Sequence, residues 1–167
     1  MAPDAAPPDR WERLRSYNCF GCSSRNASGL QLRWHEIARG IDADFVADDR
    51  FESYPGIVHG GIVATALDEV MGNAVIAVKN VVSVTTTLRI RYVSAVHVGR
   101  RYRVRATLAS EAASTYRVRG EIVGEDGQLA AVGDGVYQAI SVDMARRIFT
   151  DASALDRARP FLSRSRN

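Results

Sequence analysis

The sequence predicts an α+β domain in which an antiparallel sheet wraps around one long central helix, and three observations point to it. From His59 to about Lys79, apolar residues occupy nearly every helical face. After Asn80 the hydrophobic period changes to two and stays there through three or four long segments. Ahead of the helix lie two shorter alternating segments. A helix that is apolar all round needs cover, and a sheet curled about it supplies that cover.

The elements follow in order. Residues 1–16 read as an Ala/Pro lead with a short helix that Asp9 or a neighbour caps, running to about Ser16. A turn-rich stretch, Cys19–Gly29, comes next. Leu30–Ile37 and Ile41–Ala47 alternate on either side of Arg39-Gly40 and read as a hairpin. Asp48–Val58 is a loop with a Pro55-Gly56 turn signal. The helix is about 30 Å long at ~1.5 Å per residue. In the following strands Leu88, Ile90 and Tyr92 oppose Thr87, Arg89 and Arg91. Tyr102, Val104, Ala106 and Leu108 form a second inward row, and Tyr116, Val118 and Ile122 a third. The last strand spans about Gln128–Val142, with Gly133 and Gly135 marking a bulge or a close approach. The domain thus occupies 17–142, and 143–167 is an Arg-rich tail with a helical turn or two around Ala152–Arg159.

Composition narrows the function classes. With 167 residues, 46% apolar and 25% charged, the chain is long enough for one self-sufficient core and too apolar to be disordered. A net charge of +3 is too small to argue for nucleic acid, and the Tyr residues face away from the Arg rows instead of interleaving with them. Ile62–Val78, broken by Asp68, Glu69 and Asn73, reads as too short and too polar to span a bilayer. Met1–Pro8 lacks the basic and apolar regions of a secretory signal, and two cysteines are too few for a disulfide framework. The expectation is a soluble cytoplasmic protein.

The chemistry concentrates in His59-Gly60-Gly61 and Asp68-Glu69. A Gly pair at a helix start admits close approach of a ligand to backbone. The first-turn N–H groups have no intrahelical acceptor and stand at the positive end of the macrodipole. They can hold a carbonyl oxygen as it gains negative charge. Asp68 and Glu69 interrupt an apolar helix, where acids are seldom buried unpaired. Adjacent helical residues are ~100° apart, so the two carboxylates cannot share one site. Asp68 lies on the stripe of Gly61, Ala64, Thr65 and Gly72, whose small side chains leave room for a substrate or a closely packed partner. Glu69 lies with Ile62, Thr65 and Asn73, and Asn73 can hydrogen-bond it. Asp68 is the chemical candidate and Glu69 the structural one. Cys19-Cys22 is a lone CxxC with no second ligand pair, read as a structural turn with no metal.

His59-Gly60-Gly61 followed by Asp68 resembles the hot-dog-fold acyl-CoA thioesterases, specifically the PaaI-like group. Asn18-Cys19-Phe20-Gly21-Cys22 with Asn26-Ala27-Ser28-Gly29-Leu30 resembles a leader found in one branch. Thr85-Thr86-Thr87-Leu88-Arg89-Ile90-Arg91-Tyr92 resembles the strand after its helix. The resemblance covers about 17–140. It implies a hot-dog domain over 17–142 that hydrolyses acyl-CoA to free acid and CoA without metal or cofactor. By position it implies that Asp68 is the nucleophile or general base and that the Gly60 N–H polarises the thioester carbonyl. His59 then orients the loop, and Thr85 positions water or substrate. Gly61 belongs to the substrate-binding set. Ser53 stands where many members carry Asn or Gln. Arg89 and Arg91 are candidates for contact with CoA phosphates, as charge-assisted Arg bonds are strong. The alternatives are a non-catalytic acyl-CoA-binding or structural hot-dog protein, and a hot-dog hydratase or dehydratase. The last needs a His donor well before the helix, whereas His59 is at its start.

Distance adds an expectation of assembly. Gly60 and Asp68 are eight residues apart, about 12 Å along the helix, while an oxyanion donor and an attacking group must both lie about 3 Å from reacting atoms. One helix cannot present both, so the site should combine Gly60 of one copy with Asp68 of another in a two-fold homodimer. The resemblance implies the same dimer, often paired again into a tetramer, with no nucleic-acid or membrane partner.

Overall fold

The computed structural model describes residues 18–149 and Asp156. The short helix expected over about 9–16 and, apart from Asp156, the turns expected around 152–159 lie outside the described residues. The strands are β1 (Arg33–Ile37), β2 (Gly40–Val46), β3 (Glu52–Tyr54) and β4 (Ile57–Val58). Helix α1 (Gly60–Lys79) follows, then β5 (Ser83–Tyr92), β6 (Arg101–Ala112), β7 (Thr115–Gly124), β8 (Leu129–Ala139) and α2 (Val142–Ile148). Six strands form one antiparallel sheet in the order β1-β2-β6-β7-β8-β5, and β3 and β4 make a separate two-stranded ribbon.

Helix α1 starts and stops where its flanking residues dictate. His59 has extended backbone and its Nδ1 accepts the Gly61 N–H at 2.9 Å, while Asn80 ends the helix in the left-handed region and donates its N–H to the Ile76 carbonyl. Val63, Ala66, Leu67, Val70, Met71, Ala74 and Val75 are buried against the sheet. Their sheet partners include Ile41, Phe45, Val104, Ala106, Val118 and Ile122. The expected inward rows of β6 and β7 are therefore the core. By length and apolar content α1 could cross a membrane, which corrects the sequence reading. Here it instead lies across the sheet, and each of its polar interruptions finds a hydrogen bond inside the protein.

Two paired glycines set how closely the helix sits. Gly120 and Gly133 are register neighbours on β7 and β8. A Cβ on Gly120 would fall 2.9 Å from Met71 Cγ, and one on Gly133 would fall 3.0 Å from Met71 Cε. The expected close approach at Gly133 is thus a seat for Met71. The register slips instead between Thr85 and Thr87 on β5, and between Ile122 and Val123 where β7 pairs with β8.

Two local expectations shift. The first hairpin forms, but Arg39 takes the positive φ of its turn (58°), and Gly40 already belongs to β2. Gly40 is needed because a Cβ there would collide with the Ala106 carbonyl of β6. The last strand stops at Ala139, and α2 begins at Val142. Ser141 caps that helix by accepting the Met144 N–H at 3.2 Å, with Asp143 in the first turn and Arg146 and Arg147 in the last. Those charges complement the helix dipole.

Candidate active site

Asp68 and Glu69 leave α1 in different directions, as their ~100° offset requires. Asp68 is half-buried and turns toward β5 and β8. Its Oδ1 accepts the Thr85 hydroxyl at 2.8 Å and the Tyr137 phenol at 3.0 Å. Among the described residues, Oδ2 receives no hydrogen bond. Two O–H donors on one oxygen fix the carboxylate plane and leave the other oxygen open to chemistry.

Tyr137 was not visible in the sequence as a site residue. It is 1% exposed on β8, and two glycines make room for its ring. A Cβ on Gly135 would stand 2.6 Å from Tyr137 Cε2, and one on Gly72 would stand 3.5 Å from Cε1. Gly72 was expected to leave space on the Asp68 stripe for a substrate or partner; the Tyr137 ring fills that space. Burial, then the neighbouring Asp68 charge, push the phenol above its ordinary range, so it remains an O–H donor. A helical glycine on the stripe of an acid was the one available signal that an aromatic ring packs there.

At the other end of the helix the Gly61 N–H is taken by His59, while the Gly60 N–H has no acceptor among the described residues. The Gly60 carbonyl accepts the Tyr92 hydroxyl at 2.9 Å. Strand β5 therefore runs antiparallel beside α1, with Thr85 pinned to Asp68 and Tyr92 pinned to Gly60. The helix start presents a free backbone donor at its positive end. His59 serves that turn by capping it, through the lone pair of Nδ1.

The remaining sequence candidates lie apart from Asp68. Ser53 is exposed on β3 and donates to the Ile57 carbonyl at 3.4 Å, closing the ribbon turn at Gly56. Arg89 and Arg91 stand on the exposed side of β5, roughly 13 and 20 Å along the strand from Thr85 at ~3.4 Å per residue. Neither forms an ion pair among the described residues. The other Arg rows are largely neutralised: Arg103 and Arg105 share the buried Asp42 at 2.9 and 3.1 Å, and Arg119 faces Asp134 at 3.9 Å.

Glu69 turns away from Asp68, toward the 19–32 loop. Asn73 Nδ2 donates to its Oε1 at 2.8 Å, as the helical spacing implied, and Cys19 Sγ lies 3.6 and 3.4 Å from its two oxygens. Burial raises its carboxyl from 4.5 to about 7, and the neighbouring Cys19 adds to the effect.

The profile of the thioesterase superfamily matches residues 55–131, from the ribbon turn into β8, and so includes Gly60, Asp68 and Thr85 but not Tyr137. A phenylacetic acid degradation-related protein from Ralstonia eutropha JMP134 superposes with a TM-score of 0.60 at 25% identity, over 65% of this chain and 85% of that one. Over residues 55–131 the chain matches the thioesterase superfamily, and its fold is the hot-dog fold. Another thioesterase superfamily protein is 24% identical with a TM-score of 0.63, over 68% of this chain. The match spans only 56% of that longer relative. A hypothetical thioesterase of Streptococcus pneumoniae TIGR4, solved with coenzyme A, has a TM-score of 0.61 at 17% identity, over 65% of this chain and 87% of that one. The same protein has been solved with an aspartate and, separately, a threonine replaced by alanine. No curated protein matches the sequence significantly. These superfamily neighbours share the long helix on an antiparallel sheet that the sequence predicted.

Proposed function

We propose that this chain is an acyl-CoA thioesterase of the PaaI-like kind whose active site is shared between two copies. The observation that carries the reading is the polarised Asp68 carboxylate, with Thr85 and Tyr137 both on Oδ1 and Oδ2 left open. The reaction needs an oxyanion donor and an attacking group at one carbonyl carbon. The Gly60 N–H of one copy binds the carbonyl oxygen as charge develops on it. Asp68 Oδ2 of the other copy supplies the attack, by taking a proton from water or by adding to the carbon itself. The C–S bond then breaks, the CoA thiolate takes up a proton, and the water oxygen ends in the free acid. Thr85 and Tyr137 are positioning residues that hold Asp68 through this cycle.

The coenzyme A held by the Streptococcus pneumoniae protein supports the choice of thioester. Arg89 and Arg91, exposed and without a carboxylate partner among the described residues, suit the CoA phosphates better than the neutralised rows. The test is thiol release from a panel of acyl-CoA thioesters by the parent, Asp68→Asn and Asp68→Ala. The reading requires turnover by the parent on at least one acyl-CoA and its loss in both variants. A parent that binds acyl-CoA without turnover is the non-catalytic binder instead.

A further inference from the structure

Away from Asp68, the Sγ atoms of Cys19 and Cys22 and a carboxylate oxygen of Glu69 all lie within 4.8 Å of one another. We propose that Cys19, Cys22 and Glu69 form a zinc site that fastens the 19–32 loop to helix α1. Four features of the cluster suit an ion.

The first is spacing. Zn–S near 2.3 Å and Zn–O near 2.1 Å at a tetrahedral angle put sulfur and oxygen about 3.6 Å apart. Cys19 Sγ stands 3.4 and 3.6 Å from the Glu69 oxygens. The second is the turn. The Gly21 N–H donates to Cys19 Sγ at 3.3 Å, and the Ser23 N–H donates to the Cys19 carbonyl at 3.2 Å, so the CxxC segment is folded back with both sulfurs to one side. The third is the tightness of the approach. A Cβ on Gly21 would fall 2.4 Å from Glu69 Cγ and Cδ, so only glycine lets the turn close over the carboxylate. The fourth is the support of the oxygen ligand. Asn73 is buried and holds Glu69 Oε1 at 2.8 Å, the kind of outer contact that orients a ligating carboxylate.

Two thiolates and one carboxylate select a borderline-soft divalent ion over magnesium or calcium, which prefer all-oxygen sets. Three protein ligands leave the fourth tetrahedral position to water. Binding releases the two thiol protons, and the Glu69 proton where it is held, to solvent, and no electron changes hands. Cys22 is 1% exposed, so the ion would sit under the loop and tie residues fifty positions apart. Its place is one residue along α1 from Asp68, turned ~100° away around the helix, which makes it a clamp on the helix and not part of the hydrolytic site.

The experiment uses tag-free protein, stripped with chelator and reductant, checked for retained fold, then equilibrated with excess zinc and desalted. The expected result is one zinc per chain by elemental analysis, a higher thermal midpoint than the stripped protein, and protection of the thiols from maleimide. Cobalt in place of zinc should give a thiolate-to-metal charge-transfer band. Glu69→Gln and Cys22→Ser should each weaken zinc binding at least about tenfold. Glu69→Gln keeps both sulfurs and shortens no side chain, so it decides the matter if Cys22→Ser does not fold. Folded parent that stays metal-free in excess zinc overturns the proposal. So does zinc bound as tightly by Glu69→Gln as by the parent, or cobalt bound without a thiolate band.

Discussion

Tyr137→Phe removes one atom, the phenol oxygen 3.0 Å from Asp68 Oδ1, and leaves the ring seated between Gly72 and Gly135. A hydrogen bond to a charged group contributes about 1.5–3 kcal/mol, which corresponds to about 10- to 150-fold in rate if all of it is needed at the transition state. Thr85 still holds the same oxygen at 2.8 Å, so the expected fall in kcat is at the lower end, about 10- to 30-fold. Stability should change little, by about 1 kcal/mol, because the half-buried carboxylate keeps one partner and reaches water. The assay is steady-state thiol release with an acyl-CoA that the parent turns over, together with urea unfolding. KM should move far less than kcat, since Tyr137 does not touch substrate in this account. In an Asp68→Asn background the same change should have no further effect, because there is no carboxylate left to orient. Unchanged kcat in the single variant, or an equal fall in both backgrounds, would refute the positioning role.

Three further outcomes follow from the geometry. Gly60→Ala places its methyl 3.6 Å from the Tyr92 ring, an ordinary contact, so the fold should survive while turnover falls about 10²–10³-fold as the carbonyl is kept off the N–H; thermal melts beside kinetics separate the two. Gly120→Ala drives a methyl against Met71 and Leu67, at 2.9 and 3.1 Å, and should destabilise by about 1–3 kcal/mol in urea titrations. In chelator-treated protein, Glu69 has a folded pKa of about 7, above its unfolded 4.5, so its contribution is fully present below 4.5 and is lost as pH rises through 7. The loss reaches at most about 3 kcal/mol, and Glu69→Gln should flatten it when unfolding is compared at the two ends of that window.

The sequence disclosed those parts of the fold that depend on local pattern. The period change at Asn80 separated α1 from the strands, and the inward rows Tyr102–Leu108 and Tyr116–Ile122 proved to be the core. His59 marked the helix start because a capping side chain and a Gly pair have local causes. Long-range fit was harder to see. Gly40 serves a carbonyl on β6 and not the turn beside it, and Gly72 serves a ring on β8; neither neighbour can be located without the sheet order. Tyr137 escaped notice for the same reason, being 69 positions from the acid it holds. Cys19 and Cys22 looked like an isolated pair because Glu69, the third group, joins them only after the loop folds onto α1.

The shared site is tested most directly by subunit exchange between two inactive variants. Gly60→Ala keeps Asp68, and Asp68→Asn keeps Gly60, so each mixed dimer contains one intact site and one doubly altered site. With random exchange half of the dimers are mixed, and activity should recover to about a quarter of the parent value, far above either variant alone. Recovery should track the mixed-dimer fraction measured by native mass spectrometry. A parent that is fully active as a monomer, or a proven mixed dimer with no recovered turnover, would contradict the account.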